Sequence, residues 1–372
     1  MAGSKPKTPY VWVATPLTLN EMLARLSDSP VVAVDTESDS LYAYFEKVCL
    51  IQISIPGVDY LVDPLAVDVT ALGELFADER HEKVFHAAQD DISCLKRDYG
   101  FSFKNLFDTM VAARILGWNR YGLGPILEDR FNVRLDKRLQ RYNWGGRPLS
   151  KEALDYARLD THYLLAIREM QLAELQAKNR LDEAQQTFQR LTRIEPASKT
   201  FNPDDFWRIR GARDLLPVEQ AVLRHLYIFR DQYARKLNRP PFKVINNAAL
   251  IRLAPTRPTD LRSLARIKGL SYRMRQHAGK RLLEAIAEGL KAPSPSYRRN
   301  QQGKRPDDET LARYQALRAW RKGIADARNV EPDVILSNDT LMALARRVPG
   351  SVEALAEIDA LDEWQRKTLS LI

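Results

Sequence analysis

Three short stretches, far apart in the chain, carry acids in patterns that could do phosphoryl chemistry. Asp35-Thr36-Glu37 stands at the end of a short apolar run, Pro30 to Val34. Residues two apart on a strand point to the same face, so two carboxylates share one small space. Each then raises the other's pKa unless a positive charge lies between them. A divalent cation is the obvious neutraliser, and Mg²⁺ or Mn²⁺ favours oxygen ligands. In the second stretch, Phe85-His86-Ala87-Ala88-Gln89-Asp90-Asp91, an apolar strand ends in small residues and reaches a pair of acids entering a helix. In the third, Leu154 to Leu165, Tyr156 and Asp160 are four apart and share a helix face. Each stretch alone has a plain structural explanation: solvated strand-end acids, acids answering a helix macrodipole, or surface acids on an amphipathic helix. Together, a strand-end Asp-x-Glu, a strand-to-helix Asp and a helical Tyr-x-x-x-Asp are the parts of a two-metal phosphodiesterase site.

The elements that must position these residues are legible around them. Pro30 to Val34 reads as a buried strand, Val48 to Ile55 as a second and Asp59 to Asp63 as a third. The turn pair Pro56-Gly57 joins the second and third as a hairpin. Leu65 to Phe76 reads as helix, Lys83 to His86 as a further strand, and from Asp91 onward the pattern is mainly helical. This is a mixed α/β front domain. After about residue 200 strand signals nearly vanish. Leu215 to Leu237 reads as one long helix, stopped by Pro240-Pro241, and Lys291 to Asp308 has linker composition.

Charge and repetition divide the chain further. Of the 57 basic and 48 acidic side chains, residues 201–300 hold 21 and 8, a net of +13. Residues 1–200 have a net of −3 and residues 301–372 a net of −1. A concentrated positive excess attracts polyanions, of which nucleic acid is the commonest. Pro240 to Leu270 aligns without a gap on Glu331 to Leu361, with 10 of 31 positions identical, against roughly two by chance. Pro241/Pro332 and Asn247/Asn338 are among the identities, and Phe229-Arg230 matches Trp320-Arg321 at the same offset of 91. Helix periodicity does not place identical Pro and Asn residues, so these are two tandem helical domains.

At this point the sequence resembles the DEDD 3′→5′ exonucleases of the tyrosine subclass, and within them the ribonuclease D group. VVAVDTES, FHAAQDD and YARLDTHYLL occur in order, with Leu106 to Thr109 and Arg147 to Ser150 resembling segments before the last motif. The repeated helical units resemble the HRDC domain. The resemblance implies an α/β ribonuclease H-like exonuclease domain, a mixed sheet with flanking helices, followed by two small all-α HRDC-type domains. The domains are expected at 1–200, 205–292 and 309–372, with a linker at 293–308. It implies two divalent metal ions, Mg²⁺ or Mn²⁺, with Asp35 bridging both, Glu37 and Asp160 completing the first ion's ligands, and Asp91 supporting the second. Tyr156 would orient the attacking water. Asp91 is chosen over Asp90 because the family spacing from the His is five residues; His86 and His162 are read as structural.

The implied activity is hydrolytic release of nucleoside 5′-monophosphates from RNA 3′ ends, in tRNA precursors and other small structured RNAs with unpaired termini. Arg230, Arg235, Lys236, Arg239, Lys243, Arg266, Lys268, Arg273 and Arg275 are the candidate RNA contacts, which would fix position without reading sequence. The second repeat departs from that basic pattern and is expected to pack on the exonuclease domain or close a ring. The alternatives are a DNA 3′→5′ exonuclease and a non-catalytic nucleic-acid-binding protein on the same scaffold. Cys49 and Cys94, the two cysteines, cannot make a disulfide framework or a zinc site, so a reduced cytoplasmic protein is expected. No apolar run approaches the ~20 residues of a membrane span and no signal peptide is read. A monomer without an obligate protein partner is expected. No P-loop or GxSxG pattern occurs, and Gly122-Leu123-Gly124-Pro125 is too short for a dinucleotide fingerprint.

Overall fold

The computed structural model describes residues 9–196, 200–297, 306–358 and 361–370. The opening residues 1–8 and much of the expected linker, 298–305, lie outside the described residues.

Six strands form one sheet: β1 (Tyr10–Val13), β2 (Val31–Ser38), β3 (Val48–Ile55), β4 (Val58–Val62), β5 (Glu82–Phe85) and β6 (Leu106–Asp108). Their spatial order is β1-β4-β3-β2-β5-β6. The β2-β3 and β3-β4 pairs are antiparallel and the other three are parallel. β3 and β4 are buried almost end to end, which explains their near-continuous apolar sequence. Gly57, at φ +85°, makes the tight β3-β4 turn that a side chain would strain.

Two strands went unread in the sequence. β1 is a four-residue edge strand, and β6 has three residues, too few to show a period of two. The helix expected over Leu65 to Phe76 forms only at Leu72–Ala77. Before it, Asp63 Oδ1 accepts from Leu65 N and Asp68 Oδ1 from Thr70 N, and such side-chain acceptors compete with helix formation.

The chain separates into two compact units. One comprises Met1–Ser38, Val48–Ala197 and Arg305–Ile372; the other comprises Asp39–Lys47 and Ser198–Lys304. The second helical repeat therefore belongs with the exonuclease-like sheet, and the first forms its own unit together with the segment that separates β2 from β3.

The repeats match element by element at the offset of 91. In the first, Pro217–Leu237, Pro241–Val244, Asn247–Thr256 and Leu261–Ala265 are helices. In the second, Asp308–Arg328, Pro332–Ile335, Asn338–Arg347 and Val352–Ala356 are. The shared residues have a shared task. Arg230 donates to Ile245 O and Asn247 Oδ1, and Arg321 to Leu336 O and Asn338 Oδ1. Both arginines are buried, and each ties the long helix to the loop after the short one. Asn238 and Asn329 end the long helices in the left-handed conformation that Asn tolerates.

The second repeat is fastened to the sheet domain by ion pairs that run in both directions. Arg114 reaches Glu331 at 3.1 Å and Asp333 at 2.6 Å, and Arg190 reaches Asp362 at 3.4 Å. Arg328 pairs with the buried Glu183, and Trp364 N donates to Gln186 at 2.7 Å. Of the two placements expected from the sequence, packing on the exonuclease domain is the one observed.

Candidate active site

Strand β2 carries Asp35 and Glu37 on one face. Opposite them on β3, in register, lie Gln52 and Leu50. Leu50 packs with Leu61, Trp144, Ala153, Tyr156 and Ala157, so the helix Lys151–Ala157 is pressed onto the sheet face that bears the acids. Two contacts place that helix. Ser150 caps it by accepting from Ala153 N, and Arg147 just before grips Asp63 with two bonds of 2.7 and 2.6 Å and donates to Cys49 O.

The next turn, Leu159–His162, carries Asp160. It is held from beneath by Asp59 of β4, which is buried and accepts from Arg158 Nε at 3.0 Å and from Ser54 Oγ at 2.7 Å. Asp59 also pairs with His162 Nδ1, and Ser54 Oγ meets Thr161 Oγ1 at 2.7 Å. Burial raises the Asp59 pKa, and its bonds from His162, Arg158 and Ser54 bring it to a net value below the ordinary carboxylate range. His162 is thus engaged with Asp59.

Asp91 comes from the first turn of the helix Gln89–Tyr99. Its Oδ1 accepts from Thr36 N at 3.1 Å and Thr36 Oγ1 at 2.5 Å, the residue between Asp35 and Glu37. Asp91 is buried, whereas Asp90 beside it is exposed. The turn leading in is fixed by Asp108 at the end of β6. Its carboxylate accepts from Ala87 N and Ala88 N, and also from Met110 N and Val111 N of the following helix. Ala87 adopts φ +63°, unusual for a residue with a Cβ and held by that clamp. His86 Nδ1 meets Thr109 Oγ1 at 2.9 Å, a supporting contact.

The electrostatics show what has been gathered. Burial raises the Asp35 pKa well above its ordinary value, and the charges of Asp91, Asp160 and Glu37 raise it further. Glu37 is raised by burial, then by Asp160 and Asp91. Asp160 is raised by burial and by Asp91. Asp91 is raised chiefly by burial, against its bonds from Thr36. Tyr156 is raised strongly by burial and then by Asp160, Glu37 and Asp35, so its hydroxyl keeps its proton at any physiological pH. The four acids therefore lie within one another's field, and Tyr156 lies in that of Asp160, Glu37 and Asp35.

Among the described residues no three acids, histidines or cysteines stand as a ready-made metal cage. The donor set is nonetheless all oxygen, with excess negative charge, which fits Mg²⁺ or Mn²⁺. One further polar group faces this side of the sheet: Gln52, fully buried, has no hydrogen-bond partner among the described residues at either amide atom. Sequence reading passed over Gln52, Asp59 and Asp108, because only strand register and long-range contacts give them a role.

Comparison with known proteins agrees with this construction. A 3′-5′ exonuclease family model matches residues 10–176, and an HRDC domain model matches 219–286 and 310–369. A ribonuclease D from Jannaschia sp. is 31% identical over 87% of this chain and 85% of its own. The chain belongs to the ribonuclease D family. It is a 3′→5′ exoribonuclease, with the mixed-sheet exonuclease domain and HRDC domains expected from the sequence. The exosome complex exonuclease RRP6 of Saccharomyces cerevisiae is 35% identical over 76% of this chain, which spans 40% of that larger protein. The catalytic core of RRP6 from Trypanosoma brucei superposes with a TM-score of 0.71 at 28% identity, over 76% of this chain and 81% of that one.

The nine candidate RNA contacts lie in the other unit and separate into two groups. Arg230 is a correction: it is buried and spends its guanidinium on Ile245 and Asn247, as its counterpart Arg321 does in the second repeat, so it does not face a ligand. Arg275 is half-buried and donates to Ala265 O. Arg235, Lys236, Arg239, Lys243, Arg266, Lys268 and Arg273 are exposed.

Proposed function

We propose that this ribonuclease D relative trims the 3′ ends of tRNA precursors and other small structured RNAs, releasing nucleoside 5′-monophosphates by hydrolysis that depends on two divalent cations. The observation that carries the reading is the convergence of Asp35, Glu37, Asp91 and Asp160 from three distant stretches of chain, the first two half-buried and the last two buried, in one another's field beside Tyr156.

In this reading Asp35, Glu37 and Asp160 would hold one cation, and Asp35 and Asp91 would hold the other. When bound, the cations neutralise the phosphodiester's charge and supply an activated water. Tyr156, kept protonated, would donate a hydrogen bond to orient the attacking water. Asp59 and Arg158 fix the turn bearing Asp160, and Thr36 and Asp108 fix Asp91. A terminus must enter unpaired, so structure in the RNA limits trimming.

The reading keeps an exonuclease domain over 1–200, helical domains over 205–292 and 309–372, and a monomeric cytoplasmic protein whose partner is RNA. Among the described residues no helix is long and apolar enough to cross a membrane. Labelled tRNA precursor, unstructured RNA and DNA of equal length, incubated with Mg²⁺ or Mn²⁺ and with EDTA, test it. Stepwise release of 5′-mononucleotides from RNA 3′ ends, abolished by EDTA and by Asp160→Asn, is expected. Equal or faster release from DNA would make it a DNA exonuclease. Binding without release would make it a binding protein on an exonuclease scaffold.

A further inference from the structure

Three glutamines are buried among the described residues, and their amides fare differently. Gln171 donates from Nε2 to Thr109 O at 2.8 Å, and Gln365 donates to Ile335 O at 3.0 Å. Gln52, fully enclosed in the middle of β3, has no partner among the described residues at Nε2 or at Oε1. Ser54, two residues on, bonds to both Asp59 and Thr161. Leaving both ends of a buried amide unpaired costs stability, and an apolar side chain of similar size avoids that cost.

Strand register says what faces this amide. Residues two apart on a strand share a face, so Gln52 stands in a row between Leu50 and Ser54. Leu50 packs with Tyr156 and Ala157, and Ser54 reaches Thr161. The stretch between those two contacts bears Asp160, so it lies over Gln52. Across on β4 stands Leu61, which offers no hydrogen bond, and across on β2 stands Asp35. Side chains opposite each other in an antiparallel pair are about 5 Å apart at Cβ, within reach of a glutamine amide. The other parts of the site have their holders. Thr36 donates to Asp91, and Arg158 and Asp59 fix the turn of Asp160. Gln52 is the side chain placed to do the same for Asp35.

We propose that Gln52 is a positioning residue for Asp35: its Nε2–H donates to the Asp35 carboxylate in the cation-loaded protein and leaves that carboxylate's remaining lone pairs directed at the ions. The proposal rests on the two-cation reading given above. Donors of this kind orient metal-ligating carboxylates, and losing one weakens metal binding or activity roughly 10–100-fold. The bond gives the orphaned amide its partner, and it explains why an apolar residue does not stand at this position.

Gln52→Met keeps the length of the side chain and removes the amide; Gln52→Leu removes it with a different shape. Full-length wild-type protein and both variants are unfolded thermally in EDTA, then titrated with Mn²⁺ in the absence of RNA and followed by electron paramagnetic resonance. Each variant is expected to melt at or above the wild-type temperature in EDTA, because an unpaired amide has gone. Each is expected to bind Mn²⁺ roughly tenfold or more weakly. A glutamine that serves only the fold predicts the reverse, a lower melting temperature with wild-type affinity for Mn²⁺. Wild-type affinity in both variants overturns the proposal. So does a melting temperature in EDTA below that of wild type, which would show the amide already partnered without cations. If wild-type protein itself binds no Mn²⁺, the two-cation reading fails and this inference falls with it, a result that the variants cannot mimic.

Discussion

Replacing Arg158 with Met should damage both the fold and the catalytic step, through Asp59. Both residues of the pair are buried, at 5% and 2% exposure. Removing one partner of a buried ion pair leaves a stranded charge and costs about 3–5 kcal/mol. Here Ser54 and His162 still donate to Asp59, which places the cost near the lower limit, about 3 kcal/mol. At roughly 2–4 °C per kcal/mol for a unit of this size, the sheet domain's melting transition should fall by about 6–12 °C. Asp160 lies on the turn that this pair anchors, so the nucleotide-release rate measured well below the transition should also fall, by tenfold or more, through lost orientation. Adding Asp59→Asn removes the stranded charge, so the double variant should lose clearly less than the two single losses combined, with coupling of about 1 kcal/mol or more. Thermal unfolding of all four proteins in EDTA, with release rates at 25 °C, measures both effects. A loss below about 1 kcal/mol for Arg158→Met, or simple additivity, refutes the argument that this pair holds the turn.

Other outcomes follow from the same geometry. Asp35→Asn removes the charge most opposed by its neighbours, so in EDTA it should raise the sheet domain's melting point; relief of one pKa unit is worth about 1.4 kcal/mol, or a few degrees. A fall instead would mean the four acids do not repel one another. Burial holds the His86 ring at about 4, below its ordinary 6.5, so the folded state binds fewer protons between those values. Stability is therefore full above about pH 6.5 and is lost as pH falls toward 4, by up to about 3 kcal/mol; His86→Asn should remove that part of the slope in pH-dependent unfolding. Gly117 has φ +80°, and a Cβ there would strike Asn329 O of the second repeat. Gly117→Ala should loosen that docking by about 1–3 kcal/mol. It would show as faster hydrogen exchange across 308–369 while β2 to β5 stay protected.

Much of this molecule could be read along the chain, and the reasons are local. β2, β3 and β4 announce themselves because central strands are buried on both faces and read as apolar runs. The acids of β2 and the Tyr156–Asp160 pair share a face by simple periodicity, and the repeats appear because Pro, Asn and Arg recur where the two copies need the same staple. What stayed hidden depends on contacts distant in sequence. β6 is too short to signal itself, yet it delivers Asp108, which fixes the entry to Asp91. Asp59 looks like a hairpin residue until Arg158 is folded against it, and Gln52 looks like an interruption in an apolar strand until register sets it opposite Asp35. Arg230 was misread for the opposite reason: charge density on the sequence does not distinguish a guanidinium aimed at solvent from one buried as a staple.

Manganese titration of the metal-free protein, followed by electron paramagnetic resonance and by calorimetry, bears most directly on whether the gathered carboxylates serve two cations. The account predicts two ions bound per chain, binding that tightens as pH rises and displaces protons, and loss of both ions in Asp35→Asn together with nucleotide release. No bound manganese, or undiminished binding in Asp35→Asn alongside undiminished release, would contradict it.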